Sequence, residues 1–416
     1  MIGQHSDRSS SRPWANRFGS VRPSTVAVAV AVLAFAVLYP LPHATAWHFF
    51  RDAAHALFDT PRPASDGGLD LYREHPEFQF GPVSIIAAAP FAYLPSPAGV
   101  FAAMAAASLL GVVTATALYD IIGRTRPSHG HTSAVTMMFG VSTLIAVWSD
   151  IAVRTTHLDD AIALAATAGA IGAIDRRRPW LGVALLAVAA AAKPWAIMFA
   201  PLALAVPGRH AIRRLAVLGA LVVAAWLPFV LDEPGTVHAA ASFKITNAAA
   251  SALRALGVAN ATTPTWVRPA QLGLGLVAAT LLVRTGRWHT VLMATVAIRL
   301  ILDPAVHHYY TAGLVAGVLL WEGISRPGRF PVVTMLSAAI AEATAGTPHP
   351  AALAGGLRLM LLVALVIAAA RTSPMPKLDS NAEPRTGHRV AAHHARGRRA
   401  GRVTAPRLAA PPEALT

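Results

Sequence analysis

Cysteine is absent from all 416 residues, so no disulfide, thiolate nucleophile or cysteine-based metal site can form. Charge is scarce: 13% of the residues are Asp, Glu, Lys or Arg, against about 25% in an ordinary soluble domain. Acids are scarcer than bases, 20 against 35, which leaves a net charge of +15. So little charge cannot cover a water-soluble body of this size. No Gly-rich nucleotide-binding loop is evident either.

What fills the space is apolar. Hydrophobic residues make up 55% of the chain, and the mean hydropathy is +0.50. Runs such as Ser24–Pro40, Ala98–Leu118 and Pro350–Ala370 approach the roughly 20 residues that cross about 30 Å of hydrocarbon as a helix. In lipid every backbone amide must be satisfied within its own segment, so these runs must be helices. The expected fold is all-α: a polytopic transmembrane bundle of about twelve spans between residues 24 and 370.

The bases cluster in the two tails and in short loops. That is a membrane-orientation pattern, and the pI near 11.3 does not point to nucleic acid. Residues 1–23 form a basic tail, and the first apolar run reads as a retained signal anchor, not a cleaved signal. Residues 371–416, rich in Pro, Ala, Arg and His, read as a disordered basic tail. Both tails are expected in the cytoplasm of a plasma-membrane protein, so the number of crossings is even. Phe80–Leu94, opened by Pro82 and closed by Pro95, would make the count odd. It reads as a short re-entrant helix, or it spans and one of 179–192 and 194–207 does not. Two long loops, 44–80 and 232–268, then face outward. In the first, Trp47, Phe50, Ala54, Leu57 and Phe58 recur at helical spacing, with Arg51, Asp52, His55 and Asp59 between them. That is an amphipathic interfacial helix.

On this path nearly all acids and histidines collect on the outer face. Ionisable groups at membrane depth are costly, so each has a functional reading beside a bland one. Lys193-Pro194, in an apolar stretch, is either a phosphate ligand or a lysine reaching the headgroups. His157, Asp159 and Asp160 open a helix. They complement its dipole, or serve an active cavity as base or metal ligands. Arg299 and Asp303 share a helical face, as a buried pair or as a phosphate clamp. His307 and His308 precede Tyr309 and Tyr310, which fit headgroup-level anchors. Asp52, Glu74 and Glu77 are general-base candidates or solvated loop acids.

In order and spacing these segments resemble the GT-C superfamily of glycosyltransferases that use polyprenyl-phosphate sugars. The resemblance is to the actinobacterial family 87 branch that includes α-mannosyltransferases. It covers about residues 24–370 and rests on Phe49-Phe50-Arg51-Asp52-Ala53-Ala54, Asp70-Leu71-Tyr72 and His75-Pro76-Glu77-Phe78-Gln79-Phe80-Gly81-Pro82. His157-Leu158-Asp159-Asp160, Lys193-Pro194-Trp195 and Asp303-Pro304 with Tyr309-Tyr310 complete it. The resemblance implies a polyprenyl-phosphate sugar donor, an envelope glycolipid or glycan acceptor and inverting transfer on the outer face. It implies no cofactor and no metal, and a catalytic carboxylate in the first outer loop. The implied site is Asp52, Asp159 or Asp160 as base, with Lys193, Arg299, His157, His48, Glu77, Asp303, His307 and Tyr310 around the substrates. The sequence departs from the family where an acid usually precedes the aromatic pair: Ala44-Thr45-Ala46-Trp47-His48 holds none. Either Asp52, another acid or His48 replaces it, or the chain is a non-catalytic relative or a lipid-carrier transporter.

Overall fold

The computed structural model describes residues 22–59, 67–125, 131–346 and 350–375. All belong to one compact unit, Met1–Ser380. Most of both basic tails, and the expected disorder of the second, lie outside the described residues.

Among the described residues the chain is helical, with one isolated bridge between Thr246 and Thr262. The chain begins with α1 (Pro23–Leu38), α2 (Trp47–Phe58), α3 (Pro82–Ala92) and α4 (Ser96–Thr125). Next come α5 (His131–Ser149), α6 (Leu158–Asp175), α7 (Pro179–Ala192) and α8 (Ala211–Asp232). It ends with α9 (Val267–Arg284), α10 (Val291–Ile301), α11 (Tyr310–Ser325), α12 (Val332–Gly346) and α13 (Ala351–Arg371).

Four segments are long and apolar enough to cross a membrane: Ser96–Thr125, Met137–Thr155, Ala211–Asp232 and Ala351–Arg371. That fits an α-helical membrane protein and falls short of the expected twelve spans. Seven further apolar helices are 10–17 residues long and α6 and α9 have 18 each, short of the roughly 20 that a straight crossing needs. Segment 194–207, expected as one such crossing, is a 3-10 helix over Pro194–Leu204. Pro194 and Pro201 carry no N–H, so the α-helical ladder cannot run through them. The leftover stretch is a helix of 11 residues, α3, started by Pro82.

Apolar side chains cover the outside of the bundle as well as filling its core. Ile212, Val223 and Leu231 of α8, Val32 and Leu33 of α1, and Met360 of α13 are exposed. The interior holds Asp159, Asp160, Arg299, Asp303 and Glu322. Helix α6 lies at the centre, buried along most of its length. Helices α10 and α11 cross closely at Gly317, where a Cβ would come 2.5 Å from the Met293 backbone nitrogen.

The polar groups gather at two ends of the bundle. At one, Arg124 meets Asp175 at 2.9 Å, and Asp120 pairs with Arg124 and Arg176. At the other end of α6 stand His157, Asp159 and Asp160. There the loop 44–80 is stitched down by its backbone. Ala44, Thr45 and Ala46 donate to the carbonyls of Val153, Arg154 and Thr155 at 2.9–3.1 Å. Gly81 N and Ser84 Oγ both donate to Ala192 O, at 2.7 and 2.9 Å.

Candidate active site

The first turn of α6 and the last residue before the 3-10 helix meet at a buried charge cluster. Asp159 and Asp160 are 0% and 3% exposed. The Lys193 ammonium contacts Asp159 and lies 3.5 Å from Asp160 Oδ2. Trp195 Nε1 donates to Asp160 Oδ1 at 3.2 Å, and His157 Nδ1 is 3.4 Å from Asp159. Proline after Lys193 favours an extended backbone at the lysine, which it adopts (φ −139°, ψ 112°). Lys193 lines the cavity described next, but two carboxylates already balance its charge.

Arg299 is held differently. Its guanidinium sits 4.5 Å from the Trp195 ring centre and 4.6 Å from that of Tyr310. Cation–π contact fixes its plane and leaves the N–H edges open. Asp303, one turn on, is 3.5 Å from Nη2 and accepts from Ala305 N at 3.0 Å. Gln271 Nε2, from α9, donates to the Arg299 carbonyl at 3.1 Å.

These groups line one cavity of about 740 Å³. Of the residues expected from sequence, Glu77, His157, Asp159, Lys193, Arg299, Asp303, His307 and Tyr310 face it. Asp160 stands behind, reached through Trp195 and Lys193. Asp52 and His48 do not line it. Helix α2 buries Trp47, Phe50, Ala53 and Ala54, which puts Asp52 on the outer side. There its carboxylate is 50% exposed and pairs with Arg51. His48 is exposed and packs on Phe49. Glu74 pairs with Arg73 instead of lining the cavity. Tyr309 and Tyr310, expected as headgroup anchors, face inward, and Tyr309 stacks on His157.

The sequence reading missed Arg268 and Gln271. Both lie at the start of α9, one turn apart, just after the second outer loop. A basic residue and an amide opening an apolar helix at that end were the available signal. The sequence also gave no hint of the π-helix over Asp150–Thr155, which ends at Thr156 with φ 56°. π-Segments often accompany functional sites. This one turns Asp150 and Arg154, 3.0 Å apart, toward the cavity.

Among the described residues, carboxylates cluster with histidine twice, as His157–Asp159–Asp160 and as Asp150–His308–Glu342. In each, basic side chains already offset the acids: Lys193 in the first, Arg154 and His308 in the second. The Glu342 carboxylate, 2.5 Å from His308 Nδ1, holds the His308 pKa above its ordinary value. Desolvation at the cavity lining, with His157 and Arg299 nearby, pushes His307 the other way, down to about 4, so this imidazole is neutral near pH 7.

No family model, curated protein or solved structure matches this chain. The site must therefore be judged on its own chemistry. It combines aromatic walls (Phe49, Phe50, Phe78, Phe80 and Trp226), a guanidinium with open edges, and several carboxylates. Such a cavity suits a ligand with an apolar part and an anionic part.

Proposed function

We propose that this chain is a GT-C-type glycosyltransferase. It transfers a sugar, with mannose favoured, from a polyprenyl-phosphate carrier to a hydroxyl of a cell-envelope glycolipid or glycan. The observation that carries the reading is the pairing of unlike groups in one cavity. Arg299 presents a fixed guanidinium edge, and Glu77 presents a carboxylate with no Lys or Arg within 4.0 Å among the described residues. The other carboxylates that line it, Asp150, Asp159 and Asp303, are each beside a cation. Glu77 has only His75, at 3.1 Å.

Glu77 therefore takes the role first expected of Asp52: the base from the first outer loop. The acceptor oxygen attacks the anomeric carbon as its proton passes to the Glu77 carboxylate. The bond from that carbon to the phosphate oxygen breaks, and its electron pair leaves with the lipid phosphate. Arg299 stabilises the negative charge that gathers there. Aromatic faces hold the sugar and the first prenyl units. With the 18-residue α6 and α9, the helices of 10–17 residues complete a bundle of about twelve crossings, with the cavity at the outer face and both tails in the cytoplasm.

The test is transfer of labelled sugar from polyprenyl-phosphomannose to envelope lipids by the purified full chain, with Arg299→Gln alongside. Transfer that is lost in the variant supports the reading. Lipid translocation in vesicles with no transfer to any envelope acceptor would replace it with a transporter.

A further inference from the structure

Four cations line the cavity: Arg154, Lys193, Arg268 and Arg299. Three sit beside carboxylates. Arg154 is 3.0 Å from Asp150, Lys193 contacts Asp159, and Arg299 is 3.5 Å from Asp303. Arg268 is the exception. Its Nη2 donates to Gln79 Oε1 at 2.9 Å and to the Phe243 carbonyl at 3.3 Å. No carboxylate lies within 4.0 Å of it among the described residues. Its Nη1 and Nε make no hydrogen bond among them either. A guanidinium carries five N–H donors in a planar fork, so most of this one is unused.

The contact with Gln79 is incomplete from the other side too. Gln79 Nε2 is buried and has no hydrogen-bond partner among the described residues. A half-satisfied buried amide makes the contact easy to exchange. Arg268 is also tied to Arg299. It lies three residues before Gln271 on α9, so the two share a face. Gln271 in turn holds the Arg299 carbonyl. Arg299 is 8% exposed, and its side chain makes no hydrogen bond among the described residues. Two guanidinium groups with unused N–H donors thus line the same cavity.

We propose that Arg268 and Arg299 together bind the phosphate of the lipid-linked donor, and that Arg268 releases Gln79 to do so. This rests on the lipid-phosphate reading given above. Lys193, the cation the sequence pointed to, stays with Asp159 and Asp160 as a positioning residue. Gln79 is two residues from Glu77, so phosphate capture is linked to the loop segment that carries the base.

The experiment measures binding to the full chain in nanodiscs, with polyprenyl phosphate, inorganic phosphate and neutral polyprenol as separate probes. Wild type is expected to prefer polyprenyl phosphate over polyprenol. Arg268→Gln should weaken that phosphate lipid by about tenfold, the loss expected for a charge-assisted hydrogen bond, while polyprenol binding is unchanged. Gln79→Leu should tighten it, because the competing contact is gone. Competition by inorganic phosphate, lost in Arg268→Gln, would show that the phosphate itself is the recognised group.

Wild-type affinity in Arg268→Gln overturns the proposal, whether or not sugar is transferred. An equal loss for polyprenol also overturns it, because the role is then structural. Phosphate binding that depends on Arg268 in a chain that transfers no sugar supports the proposal and sinks only the transferase reading. A wild type with no preference for the phosphate lipid overturns both.

Discussion

Glu77 and Asp52 flank the same outer loop, yet only Glu77 faces the cavity. Glu77→Gln should cut transfer by about 10²–10⁴-fold, the usual worth of a general base, and leave donor binding intact. Asp52→Asn should transfer at close to the wild-type rate. Steady-state kinetics on the two variants decides between these acids. Lys193 needs a different design. Removing it strands two carboxylates that are almost fully buried. Breaking a buried pair costs about 3–5 kcal/mol, so lost activity in Lys193→Ala would report misfolding as readily as chemistry. Adding Asp159→Asn removes one of the two charges left unpaired, and the double variant should melt above the single one. Thermal unfolding in detergent gives the comparison; no recovery would mean that the pair is not what Lys193 contributes.

His308 gives a pH signature at the same scale. Glu342 raises its pKa above 6.5 in the fold. A raised folded value means the pair stabilises fully below the unfolded pKa and is lost as pH rises through the folded one. The melting temperature of wild type should therefore fall toward that of Glu342→Gln as pH rises above about 6.5. Asp150 and Arg154 also act on this imidazole with opposite signs. The difference between wild type and Glu342→Gln isolates the Glu342 part. A constant gap across the range would show that the two groups do not titrate together.

At the scale of elements, the joint that matters is between the first outer loop and the end of α7. A Cβ on Gly81 would lie 1.9 Å from the carbonyl oxygen of Ala191. No side chain fits there without moving backbone. Gly81→Ala should push the loop off α7, cost on the order of 2 kcal/mol and reduce transfer by misplacing Glu77. Protease sensitivity of the loop, together with the rate, checks it; an unchanged rate would separate the loop from the site. The sequence marked this point only through the glycine and proline of Phe80-Gly81-Pro82. It could not show why, since the partner lies 110 residues further on in the chain.

The same contrast runs through the other elements. Apolar runs marked the helices well: 179–192 is α7 at those bounds, and Ala98–Leu118 lies within α4. The amphipathic spacing of 47–58 already put Asp52 on the face opposite Phe50, so its exposure was legible from periodicity alone. The 3-10 winding of Pro194–Leu204 was announced by two prolines but read as a span. The Lys193 ion pairs, the stacking of Arg299 and the free edge of Arg268 join residues 11 to 189 positions apart. Local pattern carries no information on contacts of that kind.

For the whole molecule, helix direction links the site to the membrane. Helix α8 ends at Asp232, next to Glu233, which is 2.9 Å from Arg73 of the first outer loop. Its start, beside Arg209, is about 33 Å away at 1.5 Å per residue. Helix α9 repeats the arrangement, with Arg268 at the cavity end and Arg284 at the other. If the cavity opens outward, Arg209 and Arg284 are cytoplasmic, as bases beside spans should be. The absence of cysteine makes this directly measurable, because a single introduced thiol has no background. Asp52→Cys and Lys244→Cys, both at exposed sites of the outer loops, should react with a membrane-impermeant maleimide in intact cells. Arg209→Cys and Arg284→Cys, also exposed, should react only after permeabilisation. The reverse pattern would place the cavity in the cytoplasm, where a glycan acceptor of the outer envelope cannot reach it. Labelling of all four sites in intact cells would mean that α8 and α9 do not cross at all.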